Sequence, residues 1–185
     1  MAEWIEKTLG EVTALITKGI PPKYIYKEND DTVRVLNQKC NRNFEISYRE
    51  SRIHNSAIKK VPENKYLQAG DVLINSTGTG TAGRVAQIFK VPVPTTIDGH
   101  MILMRATDEI DTLYYGYAIK GFQKKIESLA EGSTGQTEIN RQRLLDEIVI
   151  RFPKEKEKQK DIGTFLFMID EKIRNNIQIN NNLPA

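Results

Sequence analysis

The chain has 185 residues, 39% of them hydrophobic and 28% charged, which is the balance of an ordinary soluble protein with room for one domain and an extension. The single cysteine, Cys40, excludes an internal disulfide and a cysteine-rich metal site, and no apolar run is long enough to span a membrane. The net charge of +3 excludes little, and because no signal pattern opens the chain, the cytoplasm is the expected compartment.

The N-terminal segment predicts a helix. Thr8 and Glu11 have the spacing of a capping box, and the apolar residues that follow at helical spacing predict a helix that ends at Gly19. Trp4, just before it, is expected to be a packing anchor. The proline pair at 21–22 then predicts a rigid, extended break.

The next hundred residues predict strands. Short strands are expected at 33–36, 44–46, 72–75, 84–89 and 99–105. In the last of these strands both alternating sets of residues are apolar, which predicts burial on both faces. The charged segment 47–65 has no clear period, so we expect it to be irregular.

The C-terminal third predicts helices. Asp111 to Leu129 forms one apolar face at helical spacing, Ile139 to Asp146 predicts a short helix, and Ile148 to Phe152 predicts a last strand that Pro153 ends. The final stretch, Lys154 to Leu183, predicts one long helix with a narrow apolar seam, typical of a coiled coil.

The long helix would be about 45 Å long at ~1.5 Å per residue. Its expected pairing residues are Ile162, Phe165, Leu166, Ile169, Ile173, Asn176, Ile179 and Leu183. Asn176 either fixes the register of pairing or is a frayed, solvated position. Gly163 marks either the close approach of another backbone or a weak start of the helix.

These elements predict an α+β fold. A globular, mixed α/β domain with a twisted, mostly antiparallel sheet is expected over residues 1–152. The long coiled-coil-type helix is expected over residues 153–185.

The glycine-rich loop at Gly78–Gly83 spells G-x-G-x-x-G after a predicted strand, as a dinucleotide fingerprint does. That fingerprint needs a helix directly after the glycines to receive the pyrophosphate, whereas the residues that follow predict another strand. Two interpretations stay open. The loop is a flexible hairpin tip, or its small residues let the backbone approach a nucleic-acid phosphate closely, with Arg84 beside it.

The sequence predicts no catalytic, cofactor or metal site. His54 and His100 lack metal-ligand spacing and are expected to be ordinary hydrogen-bonded histidines. Asp71 and Asp98 are expected to cap turns. No nucleophile-elbow motif is present in the chain.

The basic residues are unevenly distributed. Residues 18–65 contain 11 Lys or Arg against 6 Asp or Glu, whereas residues 66–150 contain 8 against 10. The first segment favours a polyanion as partner, although an uneven solvated surface explains it equally well. Two polar segments, 37–43 and 131–144, are rich in side chains that can pair with base edges.

Three stretches together resemble the specificity subunit of Type I restriction-modification systems. They are the segment from Leu67 through Gly70-Asp71-Val72 to Gly83-Arg84, the segment Gly132 to Asn140, and the segment Pro153 to Ile173. Trp4 with Leu9-Gly10-Glu11 also resembles the usual start of such a domain. The resemblance covers nearly the whole chain, as one target recognition domain running into a spacer helix.

The resemblance implies a non-catalytic protein with no cofactor of its own. Family members read a split DNA sequence with two recognition domains held apart by two antiparallel helices. They dock adenine-methylating subunits, which bind S-adenosylmethionine, and restriction subunits, which use ATP and Mg. This chain, with one domain and one helix, resembles half of such a subunit, whether natural or a fragment.

Within that resemblance, the polar loops are expected to read double-stranded DNA. The residues predicted to contact DNA are Lys23, Tyr24, Asn37, Gln38, Lys39, Arg42, Thr77, Thr79, Arg84, Thr134, Gln136, Asn140 and Arg141. Residues 134–140 could instead hold the domain together, so the 37–43 loop is the better candidate for base contacts.

Two chains paired through antiparallel 154–183 helices would rebuild a twofold architecture suited to a palindromic, interrupted site. Three alternatives stay open. The chain is a monomeric fragment, the recognition domain of a fused methyltransferase or nuclease, or a protein-interaction module without a DNA role.

Overall fold

The computed structural model describes residues 3–132 and 137–182. The strands are β1 (Trp4–Thr8), β2 (Thr13–Lys18), β3 (Tyr24–Ile25), β4 (Thr32–Leu36), β5 (Asn41–Arg42), β6 (Glu45–Ile46), β7 (Arg52–Asn55), β8 (Val72–Asn75), β9 (Val85–Gln87), β10 (Thr95–Ile97), β11 (Met101–Ala106), β12 (Ala130–Glu131), β13 (Glu138–Ile139) and β14 (Val149–Pro153). The helices are α1 (Thr112–Gly121), α2 (Gln123–Ser128), α3 (Arg141–Glu147) and α4 (Lys156–Asn182).

The strands form two four-stranded sheets and, within the described ranges, three two-stranded ribbons. One sheet has the order β2-β11-β8-β9 and is antiparallel throughout, whereas the other has the order β10-β4-β7-β3 and contains one parallel pair, β10 with β4. The ribbons are β1-β14, β5-β6 and β12-β13. The structure therefore confirms an α+β fold whose strand pairing is mostly antiparallel.

The sheet around β8 and β11 lies at the centre of the domain. One face of these strands packs on α1, α2 and β14 through a cluster that includes Ile102, Tyr115 and Phe152. The other face packs on the second sheet through Leu73 and Leu103, among others. Because both faces are covered, the doubly apolar pattern predicted for the 99–105 strand is confirmed.

The predicted N-terminal helix is wrong, since the segment forms β1, a tight turn and β2. The capping contacts exist: the Thr8 backbone N–H donates to the Glu11 carboxylate at 2.7 Å, but they close the turn. β1 pairs with β14 from the far end of the domain, and β2 pairs with β11. These distant partners override a local helix signal.

Trp4 is also not a core anchor. Its side chain is 42% exposed, and the Arg151 guanidinium lies 5.4 Å from the ring centroid. The tryptophan therefore covers part of the ribbon surface, with one face against a cation.

Other boundaries differ from the prediction. β7 lies in the segment expected to be irregular, and β10 was not predicted. The 111–129 helix is divided at Phe122 into α1 and α2. Ile139 belongs to β13 rather than to the short helix, which Asn140 caps instead.

α4 begins at Lys156 and is packed on α1 over its first half. The buried Gln159 side chain accepts from the Asp111 backbone N–H at 2.7 Å and donates to the Pro153 carbonyl at 2.8 Å. A Cβ on Gly163 would lie 2.9 Å from the Tyr114 backbone nitrogen. The glycine therefore marks a close backbone approach, and the approaching element is α1 of the same chain.

Polar and charged contacts attach the middle of α4 to α1. The Asp170 carboxylate accepts from the Tyr117 hydroxyl at 2.9 Å and from the Lys120 amine at 2.6 Å. One turn later Arg174 approaches Glu45 at 3.5 Å. From residue 175 to residue 182 every side chain is exposed, so the last two turns project beyond the domain. No helix within the described residues has the length and apolar character needed to cross a membrane.

Candidate nucleic-acid interface

Loops from distant parts of the chain meet at one polar surface, which we call the loop surface. Its hydrogen-bonded centre is Thr77, whose hydroxyl lies 3.0 Å from the amide nitrogen of Gln38 and 3.0 Å from Nδ1 of His100. A bridge between the Thr77 and Glu138 backbones brings the 137–141 segment to the same place. The sheets thus gather segments that are widely separated in sequence.

A stacked pair, Tyr24 and Arg52, lies on the loop surface. The Arg52 guanidinium carbon is 3.6 Å from the centroid of the Tyr24 ring. Asp98 lies close by: it is 8% exposed, and its carboxylate accepts from the His100 backbone N–H at 2.9 Å. Burial raises the pKa of Asp98, opposed by that hydrogen bond and by the charges of His100 and Arg52.

Basic side chains crowd the neighbouring part of the loop surface. The Lys65 amine donates to the Gly19 carbonyl at 3.1 Å, and Lys18 pairs with Glu138. Partial burial lowers the pKa of Lys65, and the nearby charges of Arg141 and Lys59 lower it further. Cations held this close repel one another, so an anion bound among them would relieve the repulsion.

The two histidines are hydrogen-bonded, as predicted. Buried His54 accepts from the Lys23 backbone N–H at Nδ1, at 2.8 Å, and its Nε2 lies 2.7 Å from the Lys59 carbonyl oxygen. The ring therefore joins the residue before β3 to the segment after β7. His100 is exposed and contacts Thr77, so it belongs to the loop surface.

The glycine-rich loop leads into strand β9, so no helix N-terminus follows Gly83. Gly78, Gly80 and Gly83 all have positive φ angles. A Cβ on Gly83 would lie 2.6 Å from the Cα of Glu127, whereas one on Gly80 would meet nothing within 4 Å. Gly83 is therefore needed for packing on α2, and Gly80 lies at the open tip.

We expect these two glycines to respond differently to alanine. Gly83→Ala should lower the free energy of unfolding by roughly 3 kcal/mol, because backbone strain adds to a clash with α2. Gly80→Ala, the matched control, should cost about 1 kcal/mol, because only strain is added. Urea unfolding followed by circular dichroism measures both, and equal losses would contradict the distinction.

The structure gathers some of the predicted DNA-contacting residues and separates others. Tyr24, Gln38, Thr77 and Arg141 lie on the loop surface described above, with exposed Lys23 beside it. Among the remaining predictions, Lys39 and Thr79 are exposed, Arg42 and Arg84 line a neighbouring groove, and Thr134 and Gln136 lie outside the described residues, as does Leu183 of the helix seam.

Two of the residues predicted to contact DNA form hydrogen bonds within the protein. Asn37 caps the 3₁₀ turn 38–40, and its amide donates to the Glu50 carbonyl at 2.7 Å. Asn140 caps α3 by accepting from the backbone N–H groups of Gln142 and Arg143. Their DNA contacts stay predictions, with less of each side chain free to make them.

Sequence reasoning missed several residues of the loop surface, namely Lys18, Arg52, Lys65, Asp98 and His100. The first three belong to the basic segment 18–65, whose local charge was the available signal. Arg52 was missed because its strand, β7, was not predicted. Asp98 and His100 join the surface only through the turn between β10 and β11.

The helix seam is mostly unpartnered. Large apolar side chains of α4 that are exposed are Phe165, Met168, Ile169, Ile173, Ile177 and Ile179. Of the other predicted pairing residues, Ile162 packs partly on the domain core, Leu166 is half-buried and Asn176 is exposed. Met168 and Ile177 were not in the predicted set.

Comparison with known proteins identifies relatives of this fold. A family model described as the Type I restriction modification DNA specificity domain matches residues 1–185. No curated protein matches the chain.

Solved structures with the same fold include the Type I restriction-modification S subunit from M. genitalium, with 22% identity and a TM-score of 0.66 over 98% of this chain. A structure described as addressing complex assembly and conformational transition of the type I R-M system has 19% identity, with a TM-score of 0.70 over 95% of the chain. The HsdS subunit from Thermoanaerobacter tengcongensis has 19% identity, with a TM-score of 0.66 over 93%. The chain spans 44%, 40% and 38% of these three proteins, respectively.

Proposed function

Because this chain belongs to the family of Type I restriction-modification DNA specificity domains, we propose that it reads one half of a split DNA target. The loop surface carries this proposal. It combines a stacked Tyr24–Arg52 pair, hydrogen-bonding groups around Thr77 and crowded cations at Lys65 and Arg141. Cations position a DNA backbone, whereas amides, hydroxyls and arginine read base edges.

The chain itself is proposed to be non-catalytic and to need no cofactor. Catalysis would come from partners: adenine-methylating subunits that bind S-adenosylmethionine, and restriction subunits that use ATP and Mg. Membership of the family supports these partners, and the solved S-subunit structures support the shared fold. Because the proposed partners are DNA and DNA-modifying subunits, the cytoplasm is the proposed location of the complex.

We further propose that two copies pair through α4 in antiparallel fashion. The exposed apolar residues of α4 support this, since a monomer rarely exposes an apolar patch of this extent without a partner. Gln159, Gly163 and Asp170 pack against α1 or the residue before it, so α4 is held against its own domain. Pairing of two α4 helices would therefore set the distance between the two domains. The 27 residues of α4 span about 40 Å, which is close to one DNA turn of ~34–36 Å.

Selection from a random pool of duplexes tests the DNA proposal. The purified chain, alone and with a methylating subunit, should enrich one sequence, in two inverted copies at fixed spacing if α4 pairs. Binding should weaken steeply as salt rises, because phosphate contacts release counterions.

The alternatives predict different results. A protein-interaction module would enrich no sequence under any condition, which would overturn the DNA proposal. A fused enzyme would show methyl transfer or cleavage by the purified chain alone. A monomeric fragment would enrich a single half-site without fixed spacing.

A further inference from the structure

Arg52 is an exposed cation on a rigid element. It lies at the first position of β7, opposite Val35 of β4, and β3 flanks the other edge of β7. Its guanidinium carbon lies 3.6 Å from the centroid of the Tyr24 ring. The contact with the ring restrains the guanidinium, so fewer orientations of its N–H donors are open before any ligand arrives.

The two strands that carry this pair, β3 and β7, are held rigidly. Tyr24 faces His54 across β3 and β7, and His54 is fully buried with both ring nitrogens in hydrogen bonds. A side chain placed on such a sheet holds its position better than one on a loop, and precise placement is what a two-point hydrogen bond to a base edge requires.

The charges around Arg52 disfavour a phosphate group as its ligand. Asp98 is near enough to interact electrostatically with both Arg52 and Tyr24, and its carboxylate would repel a phosphate placed beside it. The cations of Lys65, Lys59 and Arg141 instead crowd one another, which favours an anion there. The two parts of the loop surface thus differ in chemistry: one suits a DNA backbone, and the other suits an uncharged base edge.

We propose that Arg52, held over the Tyr24 ring, determines specificity by donating two hydrogen bonds to the O6 and N7 atoms of one guanine in the half-site. Guanine presents two acceptors side by side in the major groove, and arginine is the side chain whose geometry matches them. The inference rests on the proposed function, because it assigns one base of the target to one residue.

Duplex selection with Arg52→Lys tests the proposal. Lysine keeps the charge but loses the planar guanidinium and its paired donors. The matched control is Arg34→Lys, on the neighbouring strand β4, where the arginine pairs with Glu28. Tyr24→Leu provides a second variant, which removes the stack and leaves Arg52 in place. Circular dichroism melting checks that all variants fold.

The wild-type chain and Arg34→Lys should enrich the same sequence, with a guanine discriminated by about 10- to 100-fold at one position. Arg52→Lys should lose that preference at the one position while the other positions keep theirs, and Tyr24→Leu should weaken it at the same position.

Two results would overturn the assignment while the DNA function stands. Arg52→Lys could enrich the wild-type sequence unchanged. Alternatively, an Arg52→Ala variant could bind all sequences more weakly by one common factor with a shallower salt dependence, which is the behaviour of a phosphate contact. Failure of the wild-type chain to enrich any sequence would overturn the proposed function itself.

Discussion

Replacing Ile169 by Asp is expected to convert the proposed dimer into a monomer at micromolar concentration. Ile169 lies on the exposed face of α4, 42% exposed, so its replacement removes little packing within the chain's own domain. In an antiparallel pair the change occurs twice and places two unpaired carboxylates in an apolar seam, which should weaken association by roughly 1,000-fold or more. Light scattering across a concentration series measures the change in mass.

Thr164→Asp is the matched control for this variant. Thr164 is exposed on α4 and lies five residues before Ile169, about 140° around the helix from it, so the same new charge there should leave the proposed dimer intact. The melting temperature at high dilution should be similar for both variants, because neither residue is buried in its own domain. A wild-type chain that stays monomeric at every concentration would contradict the pairing proposal.

Replacing Asp71 by Ala should destabilise the domain more than any surface change. Asp71 is 1% exposed and binds the Arg105 guanidinium with both oxygens, at 2.7 and 2.8 Å, while it also accepts from the Gln68 backbone N–H at 2.7 Å. Its removal takes the charged partner from the partly buried Arg105 guanidinium, which keeps the Tyr66 carbonyl at 3.1 Å as an acceptor, and leaves the Gln68 N–H without one. The expected loss in the free energy of unfolding is about 3 kcal/mol or more.

Glu109→Ala provides the comparison for Asp71→Ala. Glu109 pairs with Lys7 at 2.6 Å on the surface, so solvent screens the pair and its loss should cost less than about 1 kcal/mol. Urea unfolding of both variants at neutral pH measures the difference. A loss below about 1 kcal/mol for Asp71→Ala would show that the domain relaxes around Arg105.

Asp71 forms one contact that the local sequence predicts and one that only the tertiary structure creates. As a turn-capping residue, Asp71 was predicted, and the bond from Gln68 confirms that role. The larger interaction, with Arg105, joins β8 to the strand next to it in the sheet and depends on their antiparallel pairing. No local pattern around residue 71 points to residue 105.

Elements with a strong local period were predicted well. α4 was recognised because its apolar residues recur at helical spacing over many turns, and β11 because a continuous apolar run suits a strand covered on both faces. For Gly163 the sequence left two interpretations open, a close backbone approach and a weak helix start, and the structure confirms the close approach.

The errors occurred where distant partners decide the structure. Thr8 and Glu11 favour a helix locally, yet β14 and β11 hold the flanking residues as strands. β7 has a mixed, charged sequence and becomes a strand because β4 and β3 lie on either side of it. Strand pairing of this kind depends on contacts across long sequence separations, which periodicity does not report.

The sequence by itself determined the fold class and the long helix with its apolar seam, because composition and period are local properties. Only the tertiary structure decided which polar side chains share a surface. Arg52 and Tyr24 are far apart in the chain, and β3–β7 pairing alone brings them into a stack. The reason is that burying apolar faces sets the strand order, and the strand order then places the polar groups.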